Sequence, residues 1–188
     1  MRATVLLLLA LAAAIQLPTQ AAPTTAITST PAARIEPSGV RDVDQEFIAQ
    51  AGASGLAEVE AGRLALKQSD SEGVKQLANM LIDDHTKANE RLNTIAALKN
   101  LSLPREPTPQ SRQQLAKLQQ KSGKAFDDAY LKQQREGHEK SIALHRQQVR
   151  AGGDADLRQY AADTLPVIEG HLKHIQTLMQ GTHARHPE

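Results

Sequence analysis

The sequence predicts an all-α fold: a four-helix bundle with one long crossover that contains a short extra helix. Three observations carry that expectation. Only Phe47, Phe126, Tyr130 and Tyr160 are aromatic, in a chain rich in Ala, Leu, Gln, Lys and Glu, so the residues present favour helices over strands. Apolar residues recur alternately four and three apart through four long runs. Two tight turns flank a single long, proline-bearing connection, the loop pattern of a bundle with one crossover.

The chain opens on "MRATVLLLLALAAAIQLPTQAAP", with one basic residue, an apolar stretch and small residues at Thr19 and Ala21. Residues 1–21 are therefore expected to be a secretory signal peptide, too short and too weakly flanked for a membrane span. Residues 22–41, rich in Thr, Pro, Ala and Ser with no apolar period, read as a disordered tether. Taking Arg2, Arg34, Arg41 and Glu36 out of totals of 22 basic and 21 acidic residues leaves 19 against 20. A near-neutral domain without a basic stripe argues against nucleic acid or an anionic membrane as partner. No cysteine is present, so thiol chemistry, disulfides and a lipid-bearing cysteine are excluded, and stability rests on packing or on packing plus an ion. The mature chain is expected to work outside the cytoplasm.

The first helix is expected from about Asp44 to Lys67, with Phe47, Ala51, Ser54, Glu58, Ala61 and Ala65 inward. Gly52, Gly55 and Gly62 weaken it intrinsically, and close approach of a neighbouring helix is the expected compensation. "SDSEG" offers Ser69 or Ser71 as the next N-cap, and Ser69 with Glu72 fits a capping box. The second helix keeps the clearest seam: Val74, Ala78, Leu81, His85, Ala88, Leu92, Ile95 and Lys99. "NLSLPREPTPQ" ends it, because its prolines cannot continue a helix. A short helix over about Ser111–Lys121 follows, and the third long helix starts near Lys124 and stops at "AGGD". Asp154 can cap the fourth, which turns Leu157, Ala161, Leu165, Ile168, Leu172, Ile175 and Met179 inward. The bundle is expected over residues 42–180, with 181–188 a frayed tail. Pro166, inside the last helix, is expected to kink it.

One carboxylate and three imidazoles lie on these seams. If the crossover returns the chain to the first-turn end, Glu58, His85, His138 and His171 fall about 12, 15, 14 and 9 residues from that end, a spread of about 9 Å along the axis. Side chains lean toward their helix N-terminus, which narrows the spread further. With a plain up-down-up-down chain, His138 would instead lie far from His85. Four such groups from four helices are a candidate site for one transition-metal ion, zinc, iron, copper or manganese. Asp83 or Asp84, and Asp127, are candidate acceptors that would fix a histidine tautomer. The competing reading is a purely structural polar core in which Glu58 and a histidine satisfy each other. Tyr130 reads as a core ring, and His145, His174, His183 and His186 as boundary or tail residues.

"FIAQAGASGLAEVEAGRLAL", "LANMLIDDHTKANERL", "GKAFDDAYLKQQREGHEKSIALH" and "YAADTLPVIEGHL", in that order, resemble the bacterial family catalogued as domain of unknown function 4142, grouped with ferritin-like proteins. The resemblance covers about residues 42–180. It implies a ferritin-like bundle exported to the periplasm or envelope, often labelled an outer-membrane protein, without an established activity. The family's recurrent polar positions match Glu58, Asp84, His85, Asp127, Tyr130, His138 and His171. A di-iron carboxylate centre is not expected, because Ile82 and Ile168 stand where a Glu-x-x-His pattern needs glutamates before His85 and His171. No nucleophile–base pair or phosphate loop points to an enzyme. Two functions follow: an exported bundle holding a single metal ion, or a metal-free structural module recruiting an envelope protein partner.

Overall fold

The computed structural model describes residues 40–184, so the expected signal peptide, the tether up to residue 39 and residues 185–188 lie outside the described residues. Five helices follow one another: α1 Asp42–Gln68, α2 Glu72–Ala97, α3 Pro109–Gln119, α4 Gly123–Ala151 and α5 Ala155–Ala184. No strand occurs among the described residues. Nor is any helix among them long and apolar enough to cross a membrane.

The ends of the helices are set by local chemistry. Ser71, not Ser69, caps α2, its hydroxyl accepting from the Val74 N–H. Ser69 instead donates to the Asp127 carboxylate on α4 at 2.5 Å, which removes it from the expected capping box. Helix α2 ends where Asn100 takes a left-handed φ of 57° and Leu101 N–H returns to the Ala96 carbonyl. Thr108 caps α3 with Pro109 in its first turn, two residues earlier than the spacing predicts. Asp154 caps α5 by accepting from the Asp156 and Leu157 N–H groups, as expected. Helix α5 runs through Pro166 and continues to Ala184, past the expected end of the bundle at residue 180.

Polar contacts at the two ends fix the topology. Arg41 donates to the Ala151 carbonyl and Gln148 to Asp44, so α1 begins where α4 ends. Arg41 thus belongs to the folded unit and not to the tether. Lys99 pairs with Asp154 and Asp156 at 2.7 and 2.9 Å, so α2 ends where α5 begins. Both pairs are antiparallel, and α2 and α4 run parallel. The segment from Lys99 to Gly123 therefore carries the chain back along the bundle, with α3 packed against α1 and α4. Helix α1 has α2 and α4 as flanking neighbours, and α5 has the same two, which leaves α2 and α4 on a diagonal.

The apolar core is divided. One cluster, with Leu77, Leu81, Phe126, Tyr130, Leu131 and Ile175, fills the end near the first turn; another, with Phe47, Ile48, Leu92, Leu157 and Tyr160, fills the other. Close helix approach comes from α1: a Cβ at Gly55 would run into the Asn89 amide, and one at Gly62 would lie 2.8 Å from Ile82 Cγ1. Between the two clusters lies a polar waist.

Candidate metal centre

The waist holds the imidazoles of His85 from α2, His138 from α4 and His171 from α5. Their ring centroids are 5.5–5.7 Å apart. One ring nitrogen from each lies within 4.8 Å of the other two. His138 and His171 are almost wholly buried, 1% and 3% exposed.

Hydrogen bonds decide which nitrogen two of the rings offer. His138 Nδ1–H donates to the Gln134 carbonyl one turn back at 2.8 Å, which leaves the lone pair on Nε2. His171 Nε2–H donates to Asp84 Oδ2 at 2.9 Å, which leaves the lone pair on Nδ1. The remaining atoms, His138 Nε2, His171 Nδ1 and His85 Nε2, are buried and have no hydrogen-bond partner. A buried polar atom without a partner costs about 1–3 kcal/mol, so three in one place is an expensive arrangement for a core that serves packing alone. All three are nitrogens of the kind that ligate borderline metal ions.

Burial keeps the His85 and His138 rings neutral. Burial pushes His85 well below the ordinary imidazole range, and the neighbouring His138 and His171 add repulsion. His138 is pushed down to about 4, chiefly by burial, against the opposing pull of its bond to Gln134. Both rings therefore keep a lone pair available at neutral pH. An ion with metal–nitrogen bonds of about 2.0–2.1 Å would need each ring to move inward by less than about 1 Å. Three nitrogen ligands leave a fourth position open for water or an exchanging ligand.

Glu58, expected as the fourth ligand, is not among the three. Helix spacing gives its height but not its rotation: it faces α4, hydrogen-bonded to Gln134 with one oxygen against Gly137. There it lines a cleft of about 320 Å³ between α1, α4 and the crossover. Its Oε2 is buried and unpartnered, and burial pushes its carboxyl up to about 8. Of the acidic residues expected to orient the histidines, Asp84 does so. Asp83 pairs with Lys87 at the surface, and Asp127 is held by Ser69 at the far end. His145 is more buried than its reading as a boundary residue implied: its ring packs edge-on against Phe47 at 5.2 Å, with Nδ1 on the Ser141 carbonyl. A groove of about 220 Å³ between α2 and α5 reaches His85, His171 and Asp84 from the surface.

The model of the family described as domain of unknown function DUF4142 matches residues 28–178. No curated protein matches the chain. Among solved structures, a DUF305 fragment from Deinococcus radiodurans superposes with a TM-score of 0.67 at 10% identity, covering 75% of this chain and 97% of that one. CopM in its Cu(I)-bound form gives 0.63 at 15% identity, and CopM in its Ag-bound form 0.61 at 15%; each match covers 73% of this chain and 96% of the other. At such identities the likeness establishes the helical-bundle fold alone.

Proposed function

The chain belongs to the DUF4142 family, and we propose that this member is an exported protein of the periplasm or envelope that binds one copper ion through His85, His138 and His171. The observation that carries the reading is the convergence of three buried, unpartnered imidazole nitrogens from three helices. A purely structural core would pair those atoms with donors of its own.

Copper is favoured over harder ions because the donors are neutral nitrogens, with no carboxylate among them. Zinc accepts the same donors, and the solved CopM complexes with Cu(I), Cu(II) and silver lend support from a bundle of the same fold. Asp84 orients His171 and raises its basicity as a ligand. The signal-like sequence at residues 1–21 supports export, where copper would reach the protein without a cytoplasmic thiol pool to compete for it.

Protein purified without a histidine tag and equilibrated with Cu(II) or Cu(I), alone and against Zn(II), tests the reading by metal analysis and titration. One copper per chain is expected, held at least about 100-fold less tightly in His85→Ala and His138→Ala. Native protein that retains no copper at neutral pH removes the proposal.

A further inference from the structure

An ion destined for the waist needs a way in, because the three ring nitrogens are closed off from water. The cavities differ in what they reach. The cleft of about 320 Å³ beside α1 and α4 has Glu58 in its lining but none of the three histidines. A void of about 20 Å³ touches His85, but it is scarcely larger than a water molecule. The α2–α5 groove has His85, His171 and Asp84 in its wall.

Across the mouth of that groove, Arg91 of α2 reaches Asp163 of α5 at 2.6 Å. The same guanidinium lies 5.6 Å from the centre of the Tyr160 ring, so it is both paired and stacked. Arg91 and Asp163 are about half exposed, at 48% and 42%, and such pairs resist opening only weakly. Behind them Asp84 is 37% exposed while holding His171, so the carboxylate that orients a ligand also faces an incoming cation. Val167, 43% exposed, forms part of the lip.

We infer that the ion enters and leaves through the α2–α5 groove and that Arg91, bridged to Asp163, is its gate. The inference rests on the metal-binding reading. Displacing Arg91 does two things at once: it clears the mouth, and it leaves Asp163 without its cation, beside an Asp84 whose nearest cation is Lys87. The gate sets rates, not equilibrium, because neither Arg91 nor Asp163 touches the three nitrogens.

Stopped-flow association and dissociation of Cu(II) with the untagged protein tests this, alongside an equilibrium titration of each variant. Arg91→Ala should raise both rate constants by about ten-fold, the association rate more at low ionic strength, with Kd little changed. Val167→Trp, which fills the groove from its exposed lip, should lower both by about ten-fold or more. Gln50→Trp, on the rim of the opposite cleft, should change neither. Retained affinity with rates unmoved by either groove variant overturns the route while leaving the metal site intact. Slowing by Gln50→Trp assigns entry to the other cleft and overturns it equally. A native chain that binds no Cu(II) removes both readings together.

Discussion

Two of the regions that bury polar groups in this molecule treat them in opposite ways. At the start of α1, the fully buried Asp44 carboxylate accepts from Gln148 Nε2 at 2.6 Å, from the Gly153 N–H with both oxygens at 3.0 Å, and from the Asp154 N–H at 3.1 Å. The charge is matched within the chain, and the turn between α4 and α5 is fastened to α1. At the waist, His138 and His171 are buried nearly as deeply and His85 partly so, yet their free nitrogens face one another without a donor. A satisfied buried group holds a fold together; an unsatisfied one keeps a binding capacity open at the expense of stability.

The contrast is tested hardest at Asp44. Asp44→Ala strips acceptors from two backbone N–H groups and one side-chain amide in a place water reaches poorly, so urea unfolding should show a loss of about 3 kcal/mol. Copper affinity of the folded fraction should stay unchanged, because no atom of this clasp touches the waist. A loss under about 0.5 kcal/mol, the range of an ordinary surface change, would remove the distinction between the two regions.

Asp84 lies on the boundary between the two modes: its carboxylate is satisfied, but what it satisfies is a ligand. Asp84→Asn leaves the shape intact while weakening the acceptor for His171 Nε2–H, so the ring can adopt the tautomer that blocks Nδ1. Copper affinity should fall by about 10–100-fold, equivalent to about 1.4–2.7 kcal/mol, with thermal stability of the metal-free protein nearly unchanged. Asp83→Asn, one residue away but paired with Lys87 at the surface, should leave affinity alone. Equal effects from both would assign the loss to net charge and not to orientation.

Much of this was legible in the sequence because it depends on one-dimensional quantities. Apolar spacing located all four long helices, and counting residues from the turns put His85, His138 and His171 within about 9 Å along the axis on the condition that the segment after Leu101 returns the chain along the bundle. Rotation about a helix axis is different, since it depends on which neighbour packs where. Glu58 has the right height, but Gly55 and Gly62 turn one side of α1 tightly onto α2, and the carboxylate is left facing Gln134 and Gly137 of α4. Short polar side chains were likewise ambiguous: Ser69 and Ser71 are both good caps, and the choice fell to Ser71 because a carboxylate 58 residues away claims Ser69. The groove and its Arg91–Asp163 closure carried no sequence signal, for they join residues 72 apart on helices whose facing was not yet fixed.

Glu58 gives the most sign-specific effect. Its carboxyl titrates near 4.5 when the chain is unfolded and at about 8 when buried, desolvation being the larger cause and the Gln134 bond the opposing one. The folded protein therefore holds a proton that the unfolded chain releases between those values. Its contribution to stability is complete below pH 4.5 and is lost as pH rises through 8. His138 runs the other way: with a folded value of about 4 against 6.5, its contribution is complete above pH 6.5 and is lost as pH falls toward 4. Burial lowers His145 as well, in the same direction as His138. Above pH 6.5 the folded His138 stays neutral, and as pH rises toward 8 Glu58 comes to govern the slope. In metal-free protein, Glu58→Gln should match the native chain near pH 4.5 and exceed it progressively toward pH 7.5, with the native decline flattened. A parallel offset between native and variant across that range would mean that Glu58 acts by packing alone. A native chain that gains stability from pH 6.5 to 8 would mean that its carboxylate has found a cation, making the α1–α4 side a second charged site and not the neutral counterpart of the imidazole waist.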